Sequence, residues 1–418
     1  MFRFIAADLR RHWAGVLAIT LIVALATALG VIVTLQERAL RLGSARAADA
    51  FDLVVGAPGS ETQLVLSSVF LQAAPLPLLP GTVLAGLIAD PRVKWAAPVG
   101  FGDFIEGSPI VGTTQALIDG LSGLSEGNSF GKLGEAVIGS NVEMRLGDTF
   151  HPQHGQAHEA GGVHAEITYR IVGRMAPTGT PWDRAVLVPI ETVWQVHEHG
   201  AEPDHDAPAS ARTMVPTHEA EHHGPNLDAR VDPNAIMAPD APGVPAIVVK
   251  PRTIADAYKL RQAYRGDHSL AVFPAEVLTR LYGTLGDARF ILSAVAMGAQ
   301  ALVGAAILLV VTVHIMQRQR QIGALRAFGA PRVTIFAIVW LEAFAIIGAG
   351  LLAGFGIGYV AARSLSGILT QASGVVLPVG FVPHDFVLLA SLLAVSGVVA
   401  SVPALLAYRQ SPASALRA

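Results

Sequence analysis

Residues 13–35 read WAGVLAITLIVALATALGVIVTL, a run of 23 residues without one charged side chain. A helix needs about 20 apolar residues to cross the hydrocarbon core of a bilayer. Three further stretches have the same character. Residues 290–316 and 386–408 carry no Asp, Glu, Lys or Arg, and residues 333–362 carry only Glu342. The sequence therefore predicts an α-helical membrane protein with four transmembrane helices.

The four apolar stretches are unevenly spaced, because one precedes and three follow a long polar segment. Residues 36–289 contain 29 acidic and 19 basic side chains, whereas the rest of the chain contains 3 acidic and 10 basic ones. This layout predicts three parts. They are an N-terminal segment with helix 1 (1–36), a domain inserted between helices 1 and 2 (37–289), and a unit with helices 2–4 and the C-terminal tail (290–418).

Basic side chains next to the apolar stretches predict the orientation, since short basic loops stay in the cytoplasm. Arginines precede helix 1, fill the loop between helices 2 and 3, and follow helix 4. With four helices all three groups lie on one side, so both termini are expected in the cytoplasm and the acidic domain outside. A cleaved signal peptide also begins with basic residues, but residues 13–35 are longer than a usual signal sequence and no small-residue cleavage site follows.

The inserted segment predicts an α+β domain with a core of its own. Short apolar runs at residues 52–55, 93–111 and 246–249 are typical of strands. Residues 62–70 and 253–264 have the spacing of helices. Residues 127–133 (GNSFGKL) lack the spacing and the Ser or Thr of a phosphate-binding loop. The sequence contains no recognisable catalytic constellation, so no enzymatic activity is predicted. It contains no cysteine, so no disulfide is predicted. No nucleic-acid partner is expected.

Ten of the fourteen histidines fall in one tract of the inserted domain, within a His-rich insertion at about 151–240. Imidazole with nearby carboxylates suits zinc or another transition metal. The tract is also rich in Pro, Ala and Asp, which is typical of a solvated insertion without a packed core. Metal binding, a solvated insertion and pH sensing stay open as interpretations. The candidate metal ligands are His151, His154, His158, His164, His197, His199, His205, His218, His222 and His223.

The loop between helices 2 and 3, residues 317–332, predicts a short amphipathic helix. Ile322, Leu325 and Phe328 recur every three residues between arginines, and Gly329 is placed to end the helix. One interpretation is a helix on the surface of anionic lipid. The other is a helix that fits a groove on a cytoplasmic partner.

Several of these stretches together resemble the MacB/FtsX-like ABC transporter permeases, the type VII or mechanotransmission class. The loop stretch RQIGALRAFGA (320–330), the stretch WLEA (340–343) and the ending VPALLAYRQSPASALR (402–417) are similar to that family. The number of helices and the position of the inserted domain also match. The His-rich insertion departs from the family pattern.

The resemblance implies a permease subunit of the bacterial inner membrane, with a MacB-like periplasmic core domain. It implies a dimer with a second permease copy, a separate ABC subunit that binds and hydrolyses ATP, and a candidate periplasmic or outer-membrane partner. No cofactor is intrinsic to the chain. Residues 36–50 and 254–289 are expected to extend the helices as a stalk. The residues expected to couple to the ATPase are Arg318, Arg320, Ile322, Gly323, Leu325, Arg326, Phe328 and Gly329.

Glu342 is the one acidic residue within an apolar stretch, about ten residues and thus roughly 15 Å into its helix. Such carboxylates usually face the interior of a helix bundle or water. Polar packing between helices, pairing with a loop arginine and an ion site stay open. Three functions also compete: an ABC permease subunit linked to metal supply, an FtsX-like regulator of a periplasmic partner without transport, and a membrane-anchored metal-binding protein.

Overall fold

A computed structural model describes most of the chain. The described residues are 2–72, 74–156, 159–163, 167–199, 226–238, 240–284, 298, 301, 304–305 and 329–409. The chain divides into two compact units. We call residues 1–42, 284–368 and 377–418 the membrane unit, and residues 43–283 with 369–376 the inserted domain.

The described part of the membrane unit is built from helices. Helix α1 is short, and three long helices are apolar enough to cross a membrane, which makes the chain a membrane protein. The predicted second helix, residues 290–316, lies almost wholly outside the described residues, so the count of four stays a prediction. The helices are α1 (Phe2–Arg11), α2 (Trp13–Asp49), α9 (Arg332–Ser373) and α10 (Pro383–Arg409), numbered in chain order with the helices of the inserted domain.

Helices α2 and α9 approach each other closely along a row of glycines. Gly350, Gly354 and Gly358 recur every four residues on α9, and a Cβ atom on any of them would lie no more than 2.7 Å from atoms of α2. Small residues allow such contact between membrane helices. The facing residues of α2 ascend in the same order as the glycines, so the two helices are parallel. These facing residues are Thr20 and Val23, then Ala24 and Thr27, then Ala28 and Val31.

The inserted domain contains one mixed sheet of twelve strands. Nine of them follow the order β12-β1-β11-β2-β3-β10-β5-β9-β4, while β6 pairs with β9 and β7 pairs with β2 and β8. Most pairs are antiparallel, but β10 with β3 and β5 with β9 are parallel. The strands are β1 (Leu53–Gly56), β2 (Val93–Ile105), β3 (Ser108–Thr113), β4 (Leu124–Gly127), β5 (Glu135–Ile138), β6 (Thr149–Phe150), β7 (Gln153–Gln156), β8 (Glu159–Val163), β9 (Tyr169–Met175), β10 (Val186–Pro189), β11 (Ala246–Pro251) and β12 (Leu270–Val272).

Helices cover both faces of this sheet, because alternate side chains of each strand point to opposite sides. Leu53 and Val55 of β1 enter one core cluster and Val54 enters the other. Helices α4, α6 and α7 pack on the first cluster, and α3, α5 and α8 on the second. The helices are α3 (Glu61–Ser68), α4 (Gly81–Ala89), α5 (Gln115–Leu121), α6 (Ile190–His199), α7 (Ile254–Ala263) and α8 (274–284).

Helices α7 and α1 differ from what the sequence predicted. The predicted stalk over residues 254–289 is wrong in its first part, because α7 packs on the sheet through Leu260, which has no exposed surface, and strand β12 follows it. The spacing of apolar residues is the same for a stalk helix and for a helix on a sheet. Helix α1 was not predicted, since its apolar residues are too few for a span, yet Ile5 is buried. The helical extension of α2 to Asp49 agrees with the sequence.

Candidate coupling and transmission elements

The structure describes only the end of the predicted coupling loop. Arg318, Arg320, Ile322, Gly323, Leu325, Arg326 and Phe328 lie outside the described residues. Gly329 has a φ of +91°, a left-handed conformation that glycine adopts without strain. The carbonyl of Pro331 then accepts a hydrogen bond from the Thr334 amide at 3.0 Å. Helix α9 begins at Arg332, directly after this loop, and the end of the predicted loop helix at Gly329 stays a prediction.

Glu342 lies on α9 and is 8% exposed. Its neighbour Ala343 belongs to a core cluster that also contains Val23 of α2 and Ala400 of α10. The carboxylate is thus buried in the membrane unit, as intramembrane carboxylates usually are. Its role as packing, pairing or ion-binding group stays a prediction.

The candidate metal ligands are only partly described. The exposed His151 side chain has its Nδ1 2.8 Å from the carbonyl oxygen of Ile167. His154 lies on β7, and His197 and His199 lie on α6. His158, His164, His205, His218, His222 and His223 lie outside the described residues. Within the described part of the chain, no three His, Cys, Asp or Glu side chains are grouped as a metal site.

One ion pair that the sequence did not suggest joins two helices of the membrane unit. Arg38 of α2 donates from both Nη atoms to the Asp385 carboxylate of α10, at 2.8 Å each. Asp385 also accepts a 2.8 Å hydrogen bond from the Val382 amide, at the start of α10. The two side chains are 18% and 7% exposed. Paired hydrogen bonds from a guanidinium fix both distance and direction.

A cavity of about 420 Å³ lies between α2, α9 and α10. Its lining is mostly apolar and includes Val31, Leu351 and Leu392, and Asp385 of the ion pair also borders it.

Helix α8 is attached to the inserted domain by a chain of ion pairs. Glu61 of α3 binds Arg265 at 2.7 Å and Arg280 of α8 at 2.6 Å. Glu276 of α8 binds Arg261 of α7 at 2.7 Å. Exposed pairs stabilise little singly, but a network with several members has more effect.

The same helix also contacts α2, because the Tyr282 hydroxyl lies 2.7 Å from that of Ser44. Both residues belong to the inserted domain. The extension of α2 and helix α8 are therefore in contact within that domain, and their role as a stalk stays a prediction.

Glu191 is a buried acid at the start of α6. Burial raises the pKa of its carboxyl to about 7, and the nearby Asp232 charge adds to the rise, although a hydrogen bond with the Asp232 backbone opposes it. Residues 227–231, which follow the His-rich tract, pair with residues 131–134 through bonds such as Gly134 amide to Leu227 carbonyl at 2.8 Å. Asp232 directly follows these residues and interacts with Glu191. Glu191 is thus a titrating group beside the end of the insertion.

Comparison with known proteins identifies the C-terminal part. Residues 293–413 match the family model described as FtsX-like permease C-terminal. No curated protein matches the chain. Among solved structures, the periplasmic region of MacB from Actinobacillus actinomycetemcomitans is similar, with 10% identity over 56% of this chain and 95% of that one, and a TM-score of 0.32. That likeness is weak, and neither fold nor function is inferred from it.

The family match covers the end of the coupling loop, Glu342, the glycine row of α9 and the whole of α10. It includes the stretches 320–330 and 340–343 and most of the third stretch, 402–417, in which the sequence resembles the MacB/FtsX-like permeases. The resemblance to the MacB/FtsX-like permeases is thereby confirmed for the C-terminal part, which matches the FtsX-like permease C-terminal family over residues 293–413.

Proposed function

We propose that the chain is the non-catalytic membrane subunit of an ABC transporter and transmits motion from a separate ATP-hydrolysing subunit to its inserted domain. The observation that carries the proposal is the family match over residues 293–413. ATP is bound on the partner, and the work is export, extraction or activation outside the cytoplasm.

The helices supply a route for this motion. Helix α9 begins next to the coupling loop, and its glycine row lies against α2. Helix α2 has 37 residues, so at 1.5 Å per residue it is about 55 Å long. Because packed helices move as rigid bodies between discrete arrangements, displacement of the loop moves α9 and α2 together.

The parallel packing of α2 and α9 supports the predicted topology. Two parallel membrane helices need an odd number of crossings between them, and one crossing by residues 290–316 satisfies this. We place both termini in the cytoplasm and the inserted domain in the periplasm of a bacterium, with the chain in the inner membrane. A second permease copy completes the dimer.

The metal-linked part of the proposal rests on the histidine tract alone. A permease whose periplasmic domain binds zinc or a similar ion is suited to a task in metal supply. The FtsX-like regulator remains the second candidate, and substrate-dependent ATPase activity in liposomes separates the two, because a regulator without a substrate shows none.

Co-purification with the ATP-binding subunit tests the proposal. In the amphipathic helix predicted for this loop, the spacing would place Leu325 and Phe328 on one face and Ala327 away from it. The variant Leu325→Asp with Phe328→Asp should lose the ATP-binding subunit, while Ala327→Asp should retain it. Retention by the double variant would contradict the coupling role of this loop.

A further inference from the structure

The end of membrane helix α9 belongs to the inserted domain. Residues 369–376 are grouped with that domain, although the first part of α9 belongs to the membrane unit. Gly374 has a φ of +74° and its amide donates to the Thr370 carbonyl at 2.8 Å, which ends the helix. The last carbonyls of a helix lack partners within it, so they need donors from elsewhere.

Arg184 supplies one such donor. Its Nη1 donates to the carbonyl of Ala372 in the last turn of α9. Its Nη2 donates to the carbonyl of Gly107, between β2 and β3, at 3.2 Å. A guanidinium at the C-terminal end of a helix also interacts favourably with the negative end of the helix dipole. Arg184 thus connects α9 to a hairpin of the sheet.

Arg184 is held by a rigid turn. It ends the 3-10 helix Pro181–Arg184, whose Trp182 is fully buried in the core. The buried Asp183 carboxylate accepts hydrogen bonds from the Thr178 amide at 2.7 Å and the Gly179 amide at 2.8 Å. The backbone from which the Arg184 side chain extends is therefore held by the core of the domain.

A second contact accompanies the arginine. The Val376 amide donates to the Gly179 carbonyl at 3.3 Å. A Cβ atom on Gly374 would lie 3.0 Å from Cα of Pro181, so the two backbones approach within the space that a side chain needs. The end of α9 and the turn 178–184 therefore contact each other through backbone atoms. The long side chain of Arg184 adds a hydrogen bond to α9.

We propose that Arg184 is a positioning residue that fastens the C-terminal end of α9 to the inserted domain and makes α9 a second transmission route beside α2. This inference rests on the proposed function for its mechanical meaning. Helix α9 has 42 residues and is about 63 Å long. It begins at the coupling loop, and its last turn is bound by Arg184. A displacement of the loop is therefore transmitted along α9 to the inserted domain without passing through the stalk.

The absence of cysteine from the chain makes a crosslinking test direct. A Cβ atom on Gly179 would lie 4.0 Å from Cβ of Val376, which is within the range of a disulfide. The full-length pair Gly179→Cys with Val376→Cys should crosslink readily under mild oxidation in membranes. Cysteine at the left-handed position 179 is strained, but equally so in every variant compared.

Arg184 is then changed within this cysteine pair. Arg184→Ala should slow crosslinking by at least about fivefold, since charge-assisted hydrogen bonds are the stronger class, and Arg184→Lys should restore part of the rate. Arg170→Ala, an exposed arginine of the same domain, should leave the rate unchanged. Equal rates with and without Arg184, or no crosslink in the parent pair, would overturn the inference.

A second readout concerns transmission itself, in the complex with the ATP-binding subunit. Arg184→Ala should leave partner binding and ATP hydrolysis intact but reduce the nucleotide-dependent distance change between spin labels on the coupling loop and on the inserted domain. An unchanged distance response would overturn the transmission role. If the parent protein does not bind the ATP-binding subunit but the cysteine pair crosslinks as expected, only the proposed function is refuted.

Discussion

Arg38 and Asp385 join helices α2 and α10 through two hydrogen bonds of 2.8 Å, and both side chains are largely buried. They are 347 residues apart in the chain. Asp385 also binds the Val382 amide, so the carboxylate orients the start of α10 as well. The pair fixes the position of the last membrane helix against the first.

The first prediction concerns this pair. Asp385→Asn should lower the free energy of unfolding by about 2–4 kcal/mol, because it leaves a buried guanidinium without its counter-charge. Thermal unfolding in detergent measures the loss. Arg41→Gln, an exposed arginine of the same helix, is the control and should change little. The exchanged pair, Arg38→Asp with Asp385→Arg, should recover part of the stability. If Asp385→Asn melts like the parent, the pair does not stabilise the membrane unit.

The second prediction concerns the glycine row. Gly354→Ala should destabilise the membrane unit by about 1–3 kcal/mol, because the added methyl group would overlap Ala24 of α2. Gly356→Ala is the matched control on the same helix, since its Cβ would meet nothing within 4 Å. Melting temperatures of the two variants in one detergent give the comparison. Equal melting temperatures would show that α2 and α9 are not in close contact.

The third prediction concerns Glu191 and pH. Its folded pKa of about 7 lies above the ordinary value of 4.5, so the folded chain retains a proton that the unfolded chain releases between these values. Its contribution to stability therefore falls as pH rises from 4.5 to about 7. We compare the free energy of unfolding of Glu191→Gln with that of the parent at each pH. The difference, variant minus parent, should be about 1–3 kcal/mol larger at pH 8 than at pH 5.

Chemical denaturation at the two pH values checks this difference. Glu143→Gln, which changes an exposed acid of the same domain, is the control. A difference between parent and Glu191→Gln that stays constant with pH would refute the raised pKa.

The fourth prediction concerns the histidine tract. Metal binding predicts that the full-length protein takes up zinc stoichiometrically at micromolar concentration or tighter, with release by a chelator. Changing the ten histidines between 151 and 223 to alanine should abolish the calorimetric signal. Alanine at His12, His268 and His384 should leave it intact. If the heat of zinc binding is equal in the parent and the ten-histidine variant, the tract does not bind zinc and is a solvated insertion.

Local patterns predicted much of the architecture. The absence of charge marked α2, α9 and α10, and alternating or short apolar runs marked strands such as β1 and β11. These features depend on residues that are close in the chain, so their signal is visible in the sequence. The length of α2 beyond the bilayer was predicted for the same reason, because its helical spacing continues past Leu35.

Long-range contacts were not predictable in this way. Neither Arg38 nor Asp385 signals a partner so far along the chain, and Arg184 has no local pattern that relates it to Ala372. Nothing in the spacing of the α9 glycines identifies α2 as the helix that they contact. The stalk over residues 254–289 was implied by the family resemblance, whereas the spacing of residues 253–264 predicted only a helix and could not show that α7 packs on the sheet.

The glycine row of α9 has a further consequence for movement. Its small residues repeat every four positions, and the facing residues of α2 repeat at the same interval. A shift of one helix along the other by one repeat, about 6 Å at 1.5 Å per residue, would bring each glycine opposite a different pair of α2 side chains. A smaller shift would press the side chains of α2 against the residues that flank each glycine, so the interface resists sliding as well as separation, and a push on one helix is passed to the other.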